Sequence, residues 1–205
     1  MIAVLFAALL AGAAPQPDPG ARPPDSVPVA GVEDAPRRGT WVEASLGVFT
    51  AKGANKSFTS GQPYLGMSLG RDLGKRASIF ASLGLGAASA SCYQRSDQGD
   101  CLGADSFGFT FLELGLAWAF PVAERFSVSL KALGGFTDLS PGPVRSNNVI
   151  VDHLAGFHAG AGLSFDYDTR LDHFGIGLEA LVRETFARTV NITSLSLMPR
   201  IRYVF

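Results

Sequence analysis

The sequence predicts an all-β fold, an eight-stranded antiparallel up-and-down transmembrane β-barrel. Apolar residues alternate with small or polar residues in eight successive segments, which is the pattern of strands with two different faces. No uncharged apolar run of 18 residues occurs beyond the N-terminus, although a membrane-spanning helix needs about 20 such residues. Short and long connections also alternate along the chain, as they do in membrane barrels.

Composition narrows the class of protein. The chain has 205 residues, of which 17% are charged, and its mean hydropathy is +0.21. An ordinary soluble domain has about 25% charged residues. The formal net charge is −1, and the chain has no run of basic residues. The sequence therefore does not predict a surface that binds nucleic acid. We therefore expect lipid, and not nucleic acid, to surround this chain.

The sequence divides into three parts. Residues 1–13 are a short apolar block that ends in Ala11-Gly12-Ala13, which is typical of a secretory signal peptide, although no Lys or Arg precedes the block. Residues 14–39 contain seven of the twelve prolines and predict a poorly ordered segment, either a spacer or a partner-binding arm. Residues 40–205 carry the alternating pattern and predict the barrel.

The barrel strands follow from the alternation, segment by segment. In the first, Val42 and Leu46 share one face, and Glu43 and Ser45 share the other. The segments begin at Thr40 and then cover about residues 63–73, 77–88, 109–120, 126–132, 155–165, 174–183 and 193–205. Short turns are expected at 72–76, 121–125 and 166–172, and long loops at 51–61, 89–106, 137–150 and 184–192. An even number of strands places both chain ends on the side of the short turns.

The apolar face is expected to meet lipid. A soluble barrel has the same alternation with its apolar face inside, but the second face here consists of Gly, Ser and charged residues, which suit a narrow interior. Aromatic residues cluster at strand ends, where the interfacial belts of a membrane barrel belong. These residues are Trp41, Trp118, Phe120, Tyr167 and Tyr203.

The C-terminal residues carry a more specific resemblance. The ending Tyr203-Val204-Phe205 resembles the assembly signal of bacterial outer-membrane barrels, and residues 40–205 resemble the small OmpA-type and OmpX-type barrels. The resemblance implies an outer-membrane location, periplasmic chain ends and insertion by the barrel assembly machinery. The Ala-, Gly- and Pro-rich composition is also similar in style to myxobacterial barrels associated with gliding motility. Pro199 departs from the pattern and predicts a local bulge, because proline cannot donate to a ladder.

The polar face predicts a charged interior. Three acidic residues offset four basic ones, and His158 faces the same way. Buried charges persist when they are paired, and Glu113 and Lys131 lie on strands expected to be neighbours. The network is expected to rigidify a filled lumen; a gate or an ion path is the alternative. The charged members are Glu43, Glu113, Glu179, Lys131, Arg183, Arg200 and Arg202.

No catalytic, cofactor-binding or metal-binding residue is expected. Ser68 lies in a G-x-S-x-G pattern, but in mid-strand rather than on the strand-to-helix turn that a nucleophile needs. Gly175-Ile176-Gly177 lacks the helix of a dinucleotide site. His153 and His173 fall at opposite ends of the predicted barrel, so they cannot share an ion.

Cys92 and Cys101 are the only cysteines and fall in the longest predicted loop. An exported protein with two close cysteines favours a disulfide; free thiols or metal ligation are the alternatives. We expect a non-enzymatic outer-membrane barrel in envelope structure, surface adhesion or the anchoring of an envelope complex, including a gliding-motility complex. Its envelope protein partners would bind its loops or its proline-rich arm. A narrow channel or solute carrier and an outer-membrane lipid enzyme are the alternatives.

Overall fold

The computed structural model describes residues 39–53, 56–57, 61–91, 104–140, 145–146, 149–150, 153–171, 173–187 and 190–205. All of them belong to one compact unit, Asp34–Phe205. No helix in these ranges is long and apolar enough to cross a membrane. The predicted signal peptide, nearly all of the proline-rich segment and both cysteines lie outside the described residues.

Eight long strands form a single closed antiparallel sheet. Each strand pairs with the next along the chain, and the last pairs with the first. The predicted eight-stranded up-and-down barrel is therefore confirmed. The strands are β1 (Thr40–Gly53), β2 (Gln62–Leu73), β3 (Ala77–Ser91), β4 (Ala104–Ala123), β5 (Phe126–Ser140), β6 (Leu154–Asp168), β7 (Phe174–Ala187) and β8 (Val190–Val204).

The strands are strongly tilted. A path that starts at Trp41 and crosses the sheet from partner to partner returns to β1 at Ala51, ten residues further along. A stagger of that size in eight strands requires a tilt of about 40° from the barrel axis. The path runs through Gly70, Phe80, Gly115, Leu133, Gly160, Arg183 and Ser194. Neighbouring residues on this path therefore lie at successively different depths.

The two ends of the barrel differ. We call the end with the connections 74–76, 124–125 and 169–173, where Trp41 pairs with Val204, the turn end. We call the opposite end the loop end; three of its connections are longer, and the fourth, 188–189, has two residues. The outward face between them is apolar. On β6 it runs from Phe157 to Tyr167, which is about 33 Å along the strand and about 25 Å along a tilted axis. That height matches the apolar band of a membrane barrel.

Aromatic side chains border this outward band at both ends. Phe136 and Phe157 contact each other on the loop side, with ring centres 4.5 Å apart. Trp118, Phe120 and Tyr167 are exposed on the turn side, as predicted. Trp41 was predicted to join them, and that prediction is wrong. Its side chain is fully buried inside the barrel. Trp41 is two positions from Glu43 on β1, and residues two apart on a strand face the same side of the sheet.

Two further predictions are corrected by the strand register. The loop predicted at 184–192 is mostly strand, since β7 and β8 remain paired from Phe174–Tyr203 to Ala187–Val190. The bulge predicted at Pro199 is absent from the described ladders: Ser45–Arg200 and Val48–Leu197 share one register, and only the pairs between them are missing. An interruption of the ladder, without an extra residue, accommodates the missing N–H group.

Candidate functional site: the filled and charged interior

The lumen is filled by large side chains that pack over glycines. Gly70 faces the ring of Trp41, Gly84 faces Tyr64, and Gly115 faces Phe80, each so closely that an added Cβ would collide with the ring. The glycines on the polar face therefore provide the space in which the aromatic rings lie. A chain of eight strands has an interior just wide enough for such side chains.

Arg200 is the centre of a first charged group near the turn end. Its Nη1 donates hydrogen bonds to Oε2 of Glu43 at 2.8 Å and to Oε2 of Glu179 at 2.6 Å. Its Nη2 donates to Oδ1 of Asp166. The guanidinium is 1% exposed, so three carboxylates on three different strands surround one buried cation.

Lys131 and Arg202 complete this group. Nζ of Lys131 donates to Glu179 and lies 3.6 Å from Oε1 of Glu43 on the opposite side of the barrel. Nε and Nη2 of Arg202 each lie 3.2 Å from Oε2 of Glu43, and its guanidinium stacks 4.4 Å from the ring centre of Trp41. We call these residues the turn-end cluster: Glu43, Lys131, Asp166, Glu179, Arg200 and Arg202.

A second group lies deeper, around Glu113 and Arg183. Nε of Arg183 donates to Oε1 of Glu113 at 2.5 Å, and its other nitrogens donate to the hydroxyls of Tyr64 and Ser196, each at 2.8 Å. Ser82 donates to the second carboxylate oxygen of Glu113 at 2.7 Å. Arg183 has no exposed surface. Every charged atom of this pair thus has a hydrogen-bonding neighbour, as burial requires.

His158 lies at the edge of this second group. Its Nδ1 is 2.8 Å from the hydroxyl of Thr137, and its Nε2 is 3.2 Å from Oε1 of Glu113, without the alignment of a good hydrogen bond. Its ring meets the edge of Phe111. We call these residues the central cluster: Tyr64, Ser82, Glu113, Thr137, His158, Arg183 and Ser196.

Aromatic rings fill the interior on the loop side of the central cluster. Phe49 packs against Phe109 and Phe111, with ring centres 5.0 and 5.9 Å apart. Phe109 and Phe111 stack on each other. The guanidinium of Arg183 lies 4.8 Å from the ring centre of Phe111, so it joins the ion pairs to the aromatic layer formed by Phe49, Phe109 and Phe111.

The structure places every predicted interior charge inside the barrel, but it pairs them differently from the expectation. Glu113 and Lys131 lie on neighbouring strands, yet the register sets Lys131 opposite Ala117 and Glu113 opposite Gly135. Their partners are instead Arg183 and Glu179 on β7, across the lumen. The two strands are neighbours, as predicted, but Glu113 and Lys131 do not pair with each other, because the register separates them by four residues along the strands.

Sequence reasoning missed several members of the interior, among them Asp166 and Tyr64. Asp166 was assigned to a turn, but β6 continues through Asp168, and the alternation from Ser164 turns Asp166 inward. With Asp166, four acidic groups balance four basic ones. Tyr64 lies within the predicted segment 63–73, but its side chain was not assigned to a face. The period-two continuation of both segments is the signal that would have identified these residues.

The other candidate residues stay apart from one another. Ser68 is mid-strand between Glu43 and Ser82 of the neighbouring strands. His153 is exposed at the loop end, where its Nδ1 lies 3.1 Å from Oδ2 of Asp138. His173 is at the turn end, where its Nδ1 donates to the carbonyl of Val204 at 2.6 Å. Within the described residues, no group of three His, Cys, Asp or Glu side chains could hold a metal ion.

The predicted assembly residues lie at the closing seam of the barrel. The ring of Tyr203 contacts those of Phe174 and Phe205, each with centres 5.0 Å apart. The backbone N–H of Phe205 donates to the carbonyl of Thr40 at 2.9 Å. The assembly role of Tyr203 and Phe205 stays a prediction.

Solved structures share this architecture. Neisserial surface protein A is similar with a TM-score of 0.62 and 12% sequence identity, over 81% of this chain and 97% of that one. Ail, the attachment invasion locus protein of Yersinia pestis, has a TM-score of 0.48 and 15% identity, over 82% and 100%. The N-terminal barrel domain of Pseudomonas aeruginosa OprF has a TM-score of 0.41 and 14% identity, over 80% and 99%.

No protein-family model matches the sequence, and no curated protein matches it. The similarity to Neisserial surface protein A is one of fold, since identity is 12%. The chain has the fold of the small eight-stranded outer-membrane β-barrels, and the predicted resemblance to them is confirmed at that level.

Proposed function

We propose that this chain is a non-enzymatic barrel of a bacterial outer membrane, with its turn end in the periplasm. It serves envelope structure, surface contact or the anchoring of an envelope complex. One observation carries this proposal: a closed barrel with an apolar outer surface holds a lumen that ion pairs and aromatic rings fill from the turn end to the aromatic layer. Short turns on the periplasmic side and longer loops outside are the usual arrangement of such barrels.

The filled lumen argues for a scaffold and against transport. Arg183 and Arg200 each hold carboxylates from other strands, and neither has more than 3% of its surface exposed. A solute would have to break several buried ion pairs to pass, and each lost partner costs about 3–5 kcal/mol. The parts left for function are therefore the loops, the turns, the outer surface and the chain that precedes the barrel.

Membrane insertion can be tested directly. The protein, refolded into vesicles, should migrate faster on a gel without boiling than after boiling, and should fractionate with outer membranes in cells. A soluble protein whose mobility does not change on heating would contradict the proposal.

The channel alternative is tested by conductance in planar bilayers. We expect no stepwise openings from the wild-type barrel. Blocking variants such as Gly84→Phe or Gly160→Phe are unsuitable, because Tyr64 and the carbonyl of Val182 already occupy the space beside these glycines. Lys131→Gln is the better probe: openings whose ion selectivity changes in that variant would favour a channel.

The scaffold role predicts partners at the ends of the barrel. Crosslinking in cells, followed by purification with and without residues 15–39, would separate partners of the arm from partners of the loops. An envelope complex, including one for gliding motility, would lose its crosslinks in the shortened chain if the arm is its anchor. Absence of any protein crosslink in both forms would limit the role to envelope structure.

The disulfide between Cys92 and Cys101 belongs to the same proposal. The two residues stand between the end of β3 and the start of β4, on the side proposed to face the cell exterior. Thiol labelling of the denatured, exported protein should occur only after reduction, and labelling without reduction would contradict the disulfide.

A further inference from the structure

The three turns of the turn end share an unusual feature. Each presents an aliphatic side chain that is largely exposed: Leu73 at 54%, Val122 at 65% and Leu171 at 69%. Each also has a basic residue within three positions of that side chain. An aliphatic group beside a cation is the combination that suits the boundary between acyl chains and headgroups of a membrane.

The β2–β3 turn has the strongest form of this feature. Arg71, Lys75 and Arg76 are all exposed, with Leu73 among them. None of the three cations forms an ion pair with another described residue. Asp72 is adjacent to Arg71 on β2, so its side chain is on the opposite face of the strand. Its Oδ2 accepts a hydrogen bond from the backbone N–H of Gly39 at 3.2 Å. The three positive charges are therefore not neutralised locally.

These cations lie at the turn-end edge of the apolar band. Arg71 pairs with Ile79 on the outward face, and Ile79 is 46% exposed. Trp118 pairs with Ala77, immediately after the turn, and the backbone of Ala119 donates to the carbonyl of Arg76 at 2.7 Å. An interfacial tryptophan and the three cations thus occupy one level of the outer wall, where lipid headgroups would lie.

We propose that the β2–β3 turn binds the phosphate headgroup of an anionic phospholipid in the leaflet around the turn end. This inference rests on the proposed membrane location. Leu73 and Ile79 contact the acyl chains of that lipid, while Arg71, Lys75 and Arg76 bind its phosphate. The continuity of this surface with the apolar band favours a lipid over a water-soluble protein, which would leave the outward aliphatic groups uncovered.

The chain contains its own reporter for this test. Trp118 is 49% exposed on the outer wall beside the turn, whereas the other tryptophan, Trp41, is buried in the lumen. We would insert the protein into vesicles and measure quenching of Trp118 fluorescence by brominated phosphatidylglycerol and brominated phosphatidylcholine. The association constant should be at least about fivefold higher for the anionic lipid, since each basic residue near a membrane surface contributes about 1 kcal/mol. One molar salt should reduce this preference.

Variants separate the turn from the barrel as a whole. The triple variant Arg71→Gln, Lys75→Gln, Arg76→Gln should bring the ratio of association constants close to one. Arg170→Gln, in another turn of the same end, and Lys52→Gln, at the loop end, are matched controls that should keep the preference. Equal quenching by both lipids in the wild type, or an unchanged ratio in the triple variant, would overturn the inference.

The same samples distinguish this inference from the proposed function. If the protein enters vesicles and shows the heat-dependent gel mobility, but has no preference for the anionic lipid, only the lipid site is wrong. If it does not enter vesicles, the membrane proposal itself fails.

Discussion

The two halves of the lumen are filled by different physical means. Toward the turn end, the turn-end cluster holds six charged side chains in one network around Arg200. Toward the loop end, Phe49, Phe109 and Phe111 pack in ring-to-ring contact. The charged half depends on the pairing of its side chains, and the aromatic half depends on the fit of its rings.

This difference has consequences for substitution. Removal of one member of a buried ion pair leaves its partner charged and unpaired, and therefore costs more than the pair contributes. Removal of an aromatic ring costs the lost contacts and the cavity that remains. The central cluster joins both kinds of interaction, because Arg183 binds Glu113 and also lies over the ring of Phe111.

The largest effect is expected from Arg183→Met. Glu113 would keep its buried carboxylate without the guanidinium, and Tyr64 and Ser196 would each lose a hydrogen-bonding partner. The free energy of unfolding should fall by about 3–5 kcal/mol, measured by urea titration of the barrel in vesicles.

Two further variants show whether the lost charge pairing causes the effect. Adding Glu113→Gln to Arg183→Met should restore part of the stability, since the second change removes the unpaired charge. Arg202→Met should cost less than Arg183→Met, because the side chain of Arg202 is 25% exposed. Equal losses for Arg183→Met and Arg202→Met would contradict a special role for the central cluster.

The next effect tests the aromatic half. Phe111→Ala should lower the free energy of unfolding by about 3 kcal/mol, because the ring contacts Phe49, Phe109 and Tyr64 and its removal leaves a cavity. Phe111→Leu should cost less than about 1.5 kcal/mol, since it keeps most of the apolar volume. If the alanine variant were as stable as the leucine variant, the aromatic layer would not be tightly packed.

The sequence predicted the members of the charged half better than their partners. Alternation assigns each side chain to a face, so Glu43, Glu179 and Arg200 could be placed inside from the sequence. Partner choice depends on the stagger of the closed barrel, which brings Lys131 to Glu179 across the lumen. The alternation within a single strand does not determine the stagger between strands, so it cannot predict these partners.

Strand ends were the other source of error. Trp41 was assigned to the outer belt because aromatic residues at strand ends favour the interface, although its parity with Glu43 pointed inward. Asp166 was placed in the turn 166–172, although the alternation from Ser164 continues through it. In both cases the alternation was the correct signal.

A smaller effect is expected where β1 passes closely over β8, between the two halves. A Cβ added at Gly47 would lie 2.6 Å from Cα of Met198, so the backbone of β8 would have to move. Gly47→Ala should lower the free energy of unfolding by about 1–3 kcal/mol. Gly108→Ala is the matched control, because its Cβ would meet only the carbonyl of Ser140 at 3.6 Å. Similar losses in both variants would mean that glycine content, rather than this close approach, sets stability.

The smallest effect is expected outside the lumen, at an exposed hydrogen-bonded pair of side chains. His153 and Asp138 are 3.1 Å apart at the loop end, with side chains 66% and 43% exposed. Asp138→Ala should change the free energy of unfolding by less than about 1 kcal/mol, and less still in high salt. Asp166→Ala is the buried counterpart, because its carboxylate is 14% exposed and holds Arg200. It should cost several times more in the same urea titration, with little dependence on salt. Comparable losses at the two sites would show that water reaches the turn-end cluster, and the contrast between a sealed charged half and the exposed loop end would no longer hold.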